Sequence, residues 1–293
     1  MKIAGQVSLA DLPRVCPLLC RSTNPEYGET KTRVVEVGGV RFGEERPVVI
    51  GGPCAVESRE QTLNVARAVR TSGADMLRGG AYKPRTSPHD FQGTGLDGLR
   101  ILSDAREETG LPVVTEATDP RLVEQVAEFA DMIQIGSRNM QNYPLLAEAG
   151  RVGKPVLLKR GMAASLVEWL GAAEYIAQQG NPDIVLCERG IKAFSNGEYS
   201  RFVLDLNVIP AVRAHTYLPV IVDPSHATGV ATMVEPASRA ALEFGAQGLI
   251  IEVADSSKTR PMCDAVQAIT PETLASITRF AHANRATEKV AFA

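Results

Sequence analysis

Four residues far apart in the chain carry side chains that bind divalent transition metals: Cys54, His226, Glu252 and Asp264. A thiolate, an imidazole and two carboxylates form a mixed sulfur, nitrogen and oxygen set, which suits a borderline ion such as Zn, Mn, Fe or Co better than Mg or Ca. Taken singly, each residue has a blander reading. A buried Cys acts as a small hydrophobe, a His caps a helix or fills a core, and acids decorate a surface. The four become a site only if the fold brings them together. A second group is cationic: Arg78, Lys83, Arg85, Arg138, Lys159, Arg160 and Arg189. Arg presents a planar fork to phosphate or carboxylate and Lys a point charge, so a cluster of this size fits a substrate with several anionic groups. A solvated charged face accounts for one or two of these residues, Arg160 first. Lys159 has the further alternative of a Schiff-base lysine, which a neighbouring metal set makes the minor reading.

The elements that position these residues follow from the pattern of apolar runs. Eight short runs, at 48–51, 75–79, 112–116, 131–136, 155–160, 183–189, 218–223 and 248–252, each open on a turn signal and close on a polar or charged residue. Continuous hydrophobicity fits parallel strands buried on both faces. With helix-like stretches between most of them, the pattern predicts an α/β fold, a (β/α)8 TIM barrel. Cys54, Arg78, Glu116, Arg138, Lys159, Arg189, His226 and Glu252 all fall at or just beyond the C-terminal ends of these runs, the rim where such barrels carry their chemistry. Closure makes the eighth strand a neighbour of the first, so Cys54, His226 and Glu252 share one arc. Asp264, on the loop leaving the eighth strand, can fold back to join them. The cations follow strands two, four, five and six, across the rim.

Ahead of the barrel, residues 33–37 and 40–42 flank Gly38-Gly39 as a hairpin, the two-residue turn that glycine favours. The expected organisation is an N-terminal extension or barrel plug over 1–46, a catalytic barrel over 47–285 and a tail over 286–293. Helices are expected at 58–70 behind Ser58, at 119–129 with Pro120 in the first turn, and at 270–283 with Pro271 likewise. Rim loops are expected at 82–95, 188–200 and 254–267. The balance of 31 Lys and Arg against 34 Asp and Glu shows no basic excess, which argues against a nucleic-acid partner. Five cysteines at irregular spacing fit a reducing compartment, and Cys16, Cys20 and Cys187 are read as structural. No signal peptide or spanning segment is visible, so a cytoplasmic enzyme without a membrane partner is expected.

Longer motifs narrow the chemistry: GGPCAVES at 51–58, LRGGAYKPRTSP at 77–88, IGSRNMQN at 135–142, LLKRG at 157–161, CERG at 187–190 and VDPSHATG at 222–229. On these the chain resembles the class I 3-deoxy-7-phosphoheptulonate (DAHP) synthases, over roughly residue 39 to the C-terminal helix. The related 3-deoxy-octulosonate-8-phosphate synthases carry an Ala-Asn-Arg-Ser type sequence where this chain has Lys83-Pro84-Arg85-Thr86. The resemblance implies a metal-dependent condensation of phosphoenolpyruvate with erythrose 4-phosphate that releases phosphate, the entry to the shikimate pathway and aromatic amino acid biosynthesis. It also implies a homo-oligomer, dimer or tetramer. By the same resemblance Cys54, His226, Glu252 and Asp264 are the metal ligands, and Arg78, Lys83, Arg138, Lys159 and Arg189 hold the phosphoenolpyruvate phosphate and carboxylate. Lys83, Pro84, Arg85 and Thr86 contribute to the aldose phosphate site. Asp223 orients the erythrose hydroxyls or a water, Glu116 positions the attacking water, and Lys83 is a proton carrier.

The chain departs from the family pattern in places. Ala254 stands where a His commonly follows Glu-Val, and Cys263-Asp264-Ala265 replaces Ser-Asp-Gly. Phe202 and Val230 are further differences. This drift is compatible with a copy serving secondary metabolism. Two alternatives follow: a sister synthase using another phosphosugar such as arabinose 5-phosphate, and a catalytically silent homologue acting as a regulatory subunit.

Overall fold

A computed structural model describes residues 8–85, 87–193, 201–254 and 266–284. The first strands, β1 (Val35–Val37) and β2 (Val40–Phe42), form an antiparallel hairpin that pairs Val35 with Phe42 and Val37 with Val40. Gly38 and Gly39 turn it with φ of 55° and 86°, the left-handed pair that a tight hairpin turn requires. Eight parallel strands then close into a barrel: β3 (Val48–Gly52), β4 (Met76–Arg78), β5 (Val113–Glu116), β6 (Met132–Ile135), β7 (Val156–Lys159), β8 (Ile184–Glu188), β9 (Val220–Val222) and β10 (Gly248–Glu252). Each expected run coincides with one strand; six are trimmed at their ends, 248–252 matches in full, and the first strand runs one residue further, to Gly52. The closing pair matches β10 to β3 over its whole length, Gly248 opposite Val48 and Glu252 opposite Gly52.

The expected helices start where their caps stand. Ser58 Oγ accepts from Gln61 N ahead of α2 (Arg59–Thr71), after the short α1 (Leu12–Val15) of the N-terminal segment. Further along lie α3 (Leu96–Thr109), α4 (Val123–Phe129), α5 (Tyr143–Arg151), α6 (Leu166–Ala177) and α7 (Val208–His215). Asp119 caps a single 3-10 turn, Pro120–Leu122, that leads into α4. The chain continues through α8 (Pro224–Thr228), α9 (Ala231–Glu243) and α10 (Pro271–Ala283), the last capped by Thr270. Among the described residues no helix is long and apolar enough to cross a membrane.

Strand alternation divides the apolar residues into two cores. Outward residues such as Val49, Leu77, Val113, Ile133 and Leu158 pack against the helices. Inward residues, among them Val48, Ile50, Met76, Val114, Met132, Leu157, Val185, Ile221 and Ile250, form a separate cluster with Val35, Val37 and Phe42 of the hairpin. Gly38 lies against Pro112, at the start of β5; a Cβ there would sit 2.7 Å from the proline ring. The hairpin therefore packs into the N-terminal mouth of the barrel as a plug. Cys16, Cys20 and Cys187 are buried free thiols, and burial pushes the Cys16 thiol up to about 12.

Candidate active site

Moving up one strand by two residues keeps the same face. Two positions above Met76, Val114, Met132, Leu157, Ile221 and Ile250 stand Arg78, Glu116, Gln134, Lys159, Asp223 and Glu252. The apolar filling thus gives way to a polar and charged layer at the C-terminal mouth. Arg78, Lys83, Pro84, Arg85, Glu116, Arg138, Lys159, Arg189 and His226 line the cleft above it.

On one side of that mouth a sulfur of Cys54, a ring nitrogen of His226 and a carboxylate oxygen of Glu252 lie within 4.8 Å of one another. Cys54 reaches this place because β3 ends on Gly52, whose missing side chain lets the backbone touch β4; a Cβ there would sit 2.0 Å from the Arg78 carbonyl oxygen. His226 rides on α8, which Asp223 caps by accepting from His226 N at 2.9 Å. The other oxygen of the same carboxylate accepts from His226 Nδ1 at 2.7 Å and from Lys159 Nζ at 2.5 Å. With the proton held on Nδ1, Nε2 keeps its lone pair and faces Glu252 Oε1 at 3.1 Å.

Burial lowers the pKa of His226 against the opposing pull of Asp223 and Glu252, a direction that favours the neutral imidazole. Burial pushes Asp223 up, but the charges of His226 and Lys159, the His226 hydrogen bond and Arg78 hold it well below the usual carboxylate range. Glu252 is fully buried; Arg78 Nη1 donates to its Oε1 at 3.1 Å and Gln267 Nε2 to its Oε2 at 2.5 Å. Lys83 Nζ lies 3.1 Å from Cys54 Sγ and donates to Cys54 O at 3.0 Å, while Arg78 Nη2 donates to the same carbonyl at 3.2 Å. Cationic neighbours of this kind favour the thiolate that a metal needs. Soft sulfur, a fixed tautomer and a buried carboxylate together fit a divalent ion of the Zn, Mn, Fe, Co group.

Across the mouth, the Arg189 guanidinium stacks 4.3 Å over the Phe202 ring. Burial lowers its pKa; Asp223 raises it, and Arg201 and Arg138 push it down again. Among the described residues, Arg189 Nη1 and Ser137 Oγ are buried without a hydrogen-bond partner, which leaves both able to donate to an anion in the cleft. Glu116 crosses over Gly136, where a Cβ would lie 2.1 Å from its Oε1, and accepts from Gln134 Nε2 at 3.1 Å. Arg160 differs from its expected solvated face. It is buried, and pairs with Glu188 at 3.0 Å and Asp205 at 2.8 Å, bracing the ends of β7 and β8 outside the cleft. Asp264 and Thr86 lie outside the described residues.

Sequence reasoning did not single out Gln134, Ser137, Met162 or Arg201, which also line the cleft, or Gln267. The two-residue step from Met132 reaches Gln134. Ser137 stood inside the quoted IGSRNMQN motif. Arg201 and Gln267 come from irregular segments with no periodicity to mark them.

Fold and site define a barrel enzyme whose C-terminal mouth brings a cysteine, a histidine and a glutamate able to hold a metal together with a cluster of cations. Residues 26–289 match the model of the DAHP synthetase I family, and the chain belongs to that family. A phospho-2-dehydro-3-deoxyheptonate aldolase of Thermotoga maritima is 47% identical over 236 residues, 80% of this chain and 68% of that protein. A crystal structure of the Thermotoga maritima enzyme superposes with a TM-score of 0.83 at 43% identity, over 89% of this chain and 74% of that one. A truncated form of 3-deoxy-D-arabino-heptulosonate 7-phosphate synthase from the same organism gives 0.81 at 40% identity, over 90% and 94%. A 2-dehydro-3-deoxyphosphooctonate aldolase of Syntrophotalea carbinolica is more distant, 34% identical over 80% of this chain and 90% of its own length.

Proposed function

We propose that the chain condenses phosphoenolpyruvate with D-erythrose 4-phosphate and water to give 3-deoxy-D-arabino-heptulosonate 7-phosphate and phosphate, the first step of the shikimate pathway. The observation that carries this reading is the Cys54, His226 and Glu252 triad at the same mouth as the cationic cluster. Cys54, His226 and Glu252, with Asp264 as the fourth ligand the family resemblance implies, would hold a divalent ion, which when bound would lend Lewis acidity to the aldehyde oxygen.

The remaining work falls to the chain itself. Arg138, Lys159 and Arg189 hold the phosphate and carboxylate of phosphoenolpyruvate, while Lys83, Pro84, Arg85 and Thr86 take the phosphate of the aldose. Fixed guanidinium and ammonium groups offset the repulsion between two anions and bring the enol methylene to the aldehyde carbon. Lys83, beside Cys54 Sγ, delivers the proton that the aldehyde oxygen takes up as the carbon-carbon bond forms. The bond leaves positive character at the enol carbon. Water held by Glu116 adds there as it gives a proton to the Glu116 carboxylate; the hydroxyl of the resulting hemiketal then passes its proton to the departing phosphate as the carbon-oxygen bond to phosphate breaks and the ketone forms. Asp223 acts from behind, since both its oxygens are engaged by His226 and Lys159.

A cytoplasmic setting suits this chemistry because Cys54 must stay reduced. Assembly as a homo-oligomer, which sedimentation tests, belongs to the same reading. The deciding assay is phosphate release from phosphoenolpyruvate, after metal stripping and reconstitution, with erythrose 4-phosphate and with arabinose 5-phosphate. Release that needs both metal and erythrose 4-phosphate is expected. Turnover that survives complete metal removal refutes the metal's role. A preference for arabinose 5-phosphate favours the sister reaction, which the octonate aldolase relatives support. No release with either sugar leaves a silent binding homologue.

A further inference from the structure

The carboxylate of Glu252 is held at both ends, and the partner on its outer oxygen leads back to the cleft. Gln267 is buried, 2% exposed. Its segment runs beside the end of β10: Ile269 N donates to Glu252 O at 2.9 Å, and Ala254 N to Ile269 O at 3.1 Å. From there Gln267 Nε2 reaches Glu252 Oε2 at 2.5 Å, and Gln267 Oε1 accepts from Arg201 Nη1 at 3.0 Å. The two neighbours dictate the orientation of the amide. Turned over, it would set oxygen against carboxylate and NH2 against guanidinium, two clashes of like character. Glutamate fails at the first contact, and an aliphatic side chain at both.

Arg201 is itself placed by the site. Its backbone N donates to Thr228 O at 3.2 Å, and its side chain crosses the left-handed Gly229, where a Cβ would sit 2.8 Å from Arg201 Cβ. Its guanidinium lines the cleft. With Oε2 occupied by Gln267, Oε1 is the oxygen turned toward His226 Nε2, 3.1 Å away.

We infer that Gln267 is a positioning residue that aims Glu252 at the metal and couples that aim, through Arg201, to an anion bound in the cleft. The inference rests on the metal reading of the triad. Outer partners of ligating carboxylates are worth tenfold to a hundredfold in metal affinity. Whichever ligand binds first orders the shared chain Arg201, Gln267, Glu252, so the second binds more tightly, and the effect is reciprocal.

The test titrates cobalt(II) into the metal-free full chain against a chromogenic chelator, with and without inorganic phosphate, and follows the thiolate-to-cobalt absorption band. The wild type is expected to bind one ion per chain, and about fivefold more tightly with phosphate, as typical couplings run. Gln267→Met is expected to lose tenfold to a hundredfold in cobalt affinity, to shift the band, and to lose the phosphate effect. Arg201→Ala removes the guanidinium from the cleft and its bond to Gln267 Oε1 but leaves the Gln267 to Glu252 contact, and is expected to keep most of the affinity and lose the phosphate effect; phosphate's own hold on cobalt is common to all three proteins. Unchanged affinity and band in Gln267→Met overturn the positioning role. A phosphate effect that is absent from the wild type, or that persists in Arg201→Ala, overturns the coupling, and that second variant decides the matter even if Gln267→Met does not fold. A wild type that binds no cobalt sinks the metal reading itself, a result distinct from the others.

Discussion

Replacing Asp223 by Asn isolates what holds the charged layer in place. The amide oxygen can keep the cap on α8, where Asp223 Oδ1 accepts from His226 N at 2.9 Å, so no capping loss is expected, since Asn caps as well as Asp. The other position changes character. An oxygen that accepts from Lys159 Nζ at 2.5 Å and from His226 Nδ1 at 2.7 Å becomes an NH2 group facing two donors. Lys159 is only 4% exposed, and a buried ion pair that loses one partner costs about 3–5 kcal/mol. At about 2 °C per kcal/mol for a chain of this size, the metal-free protein should melt about 6–10 °C lower. The imidazole loses the acceptor that fixes its tautomer, and metal affinity should fall by about tenfold to a hundredfold. Scanning calorimetry in chelator reads the first effect and cobalt competition the second. A variant within about 1 kcal/mol of the wild type, with undiminished cobalt affinity, refutes the assignment of Asp223 as the hub of this layer.

Two further outcomes are expected. Phe42→Ala removes a fully buried ring from the hairpin plug and should cost about 3–5 kcal/mol. Urea midpoints should record that loss while cobalt still binds the C-terminal mouth; loss of binding in the folded variant would show that the plug shapes the site. Asp75 is pushed up by burial, but His282, Val49 N–H and Arg46 more than reverse this and leave its pKa below the usual value. Its contribution is therefore present above the unfolded carboxylate value, about 4, and is lost as pH falls through the lower folded value. Asp75→Asn should be less stable than the wild type by about 2 kcal/mol at pH 7, with the gap closing below about pH 4; a gap that ignores pH contradicts the assignment.

Most of the scaffold was legible because buried parallel strands read as unbroken apolar runs, and because glycine and proline mark their ends. The hairpin was legible for a local reason, the Gly38-Gly39 pair. The site was legible as far as topology alone carries it: once β10 and β3 are neighbours, Cys54, His226 and Glu252 must meet. What stayed hidden is contact between side chains. Nothing in the chain says that Asp223 serves both Lys159 and His226, or that Arg160 turns inward to Glu188 instead of out to water. Gln134 needed only the two-residue alternation, applied upward from Met132. Arg201 and Gln267 needed coordinates, because irregular backbone has no period to count.

The ring of strands has a bearing on how the protein is made. Its seam joins Gly248 to Val48 and Glu252 to Gly52, so the eighth barrel strand completes a pairing begun some two hundred positions earlier (248 against 48). Until then β3 presents an unpaired apolar edge, the kind of surface that invites sticking between nascent chains. Separations this long also slow folding, because a large loop must close before its contacts repay it. A cell making this protein quickly therefore has reason to shield the early strands until β10 has emerged.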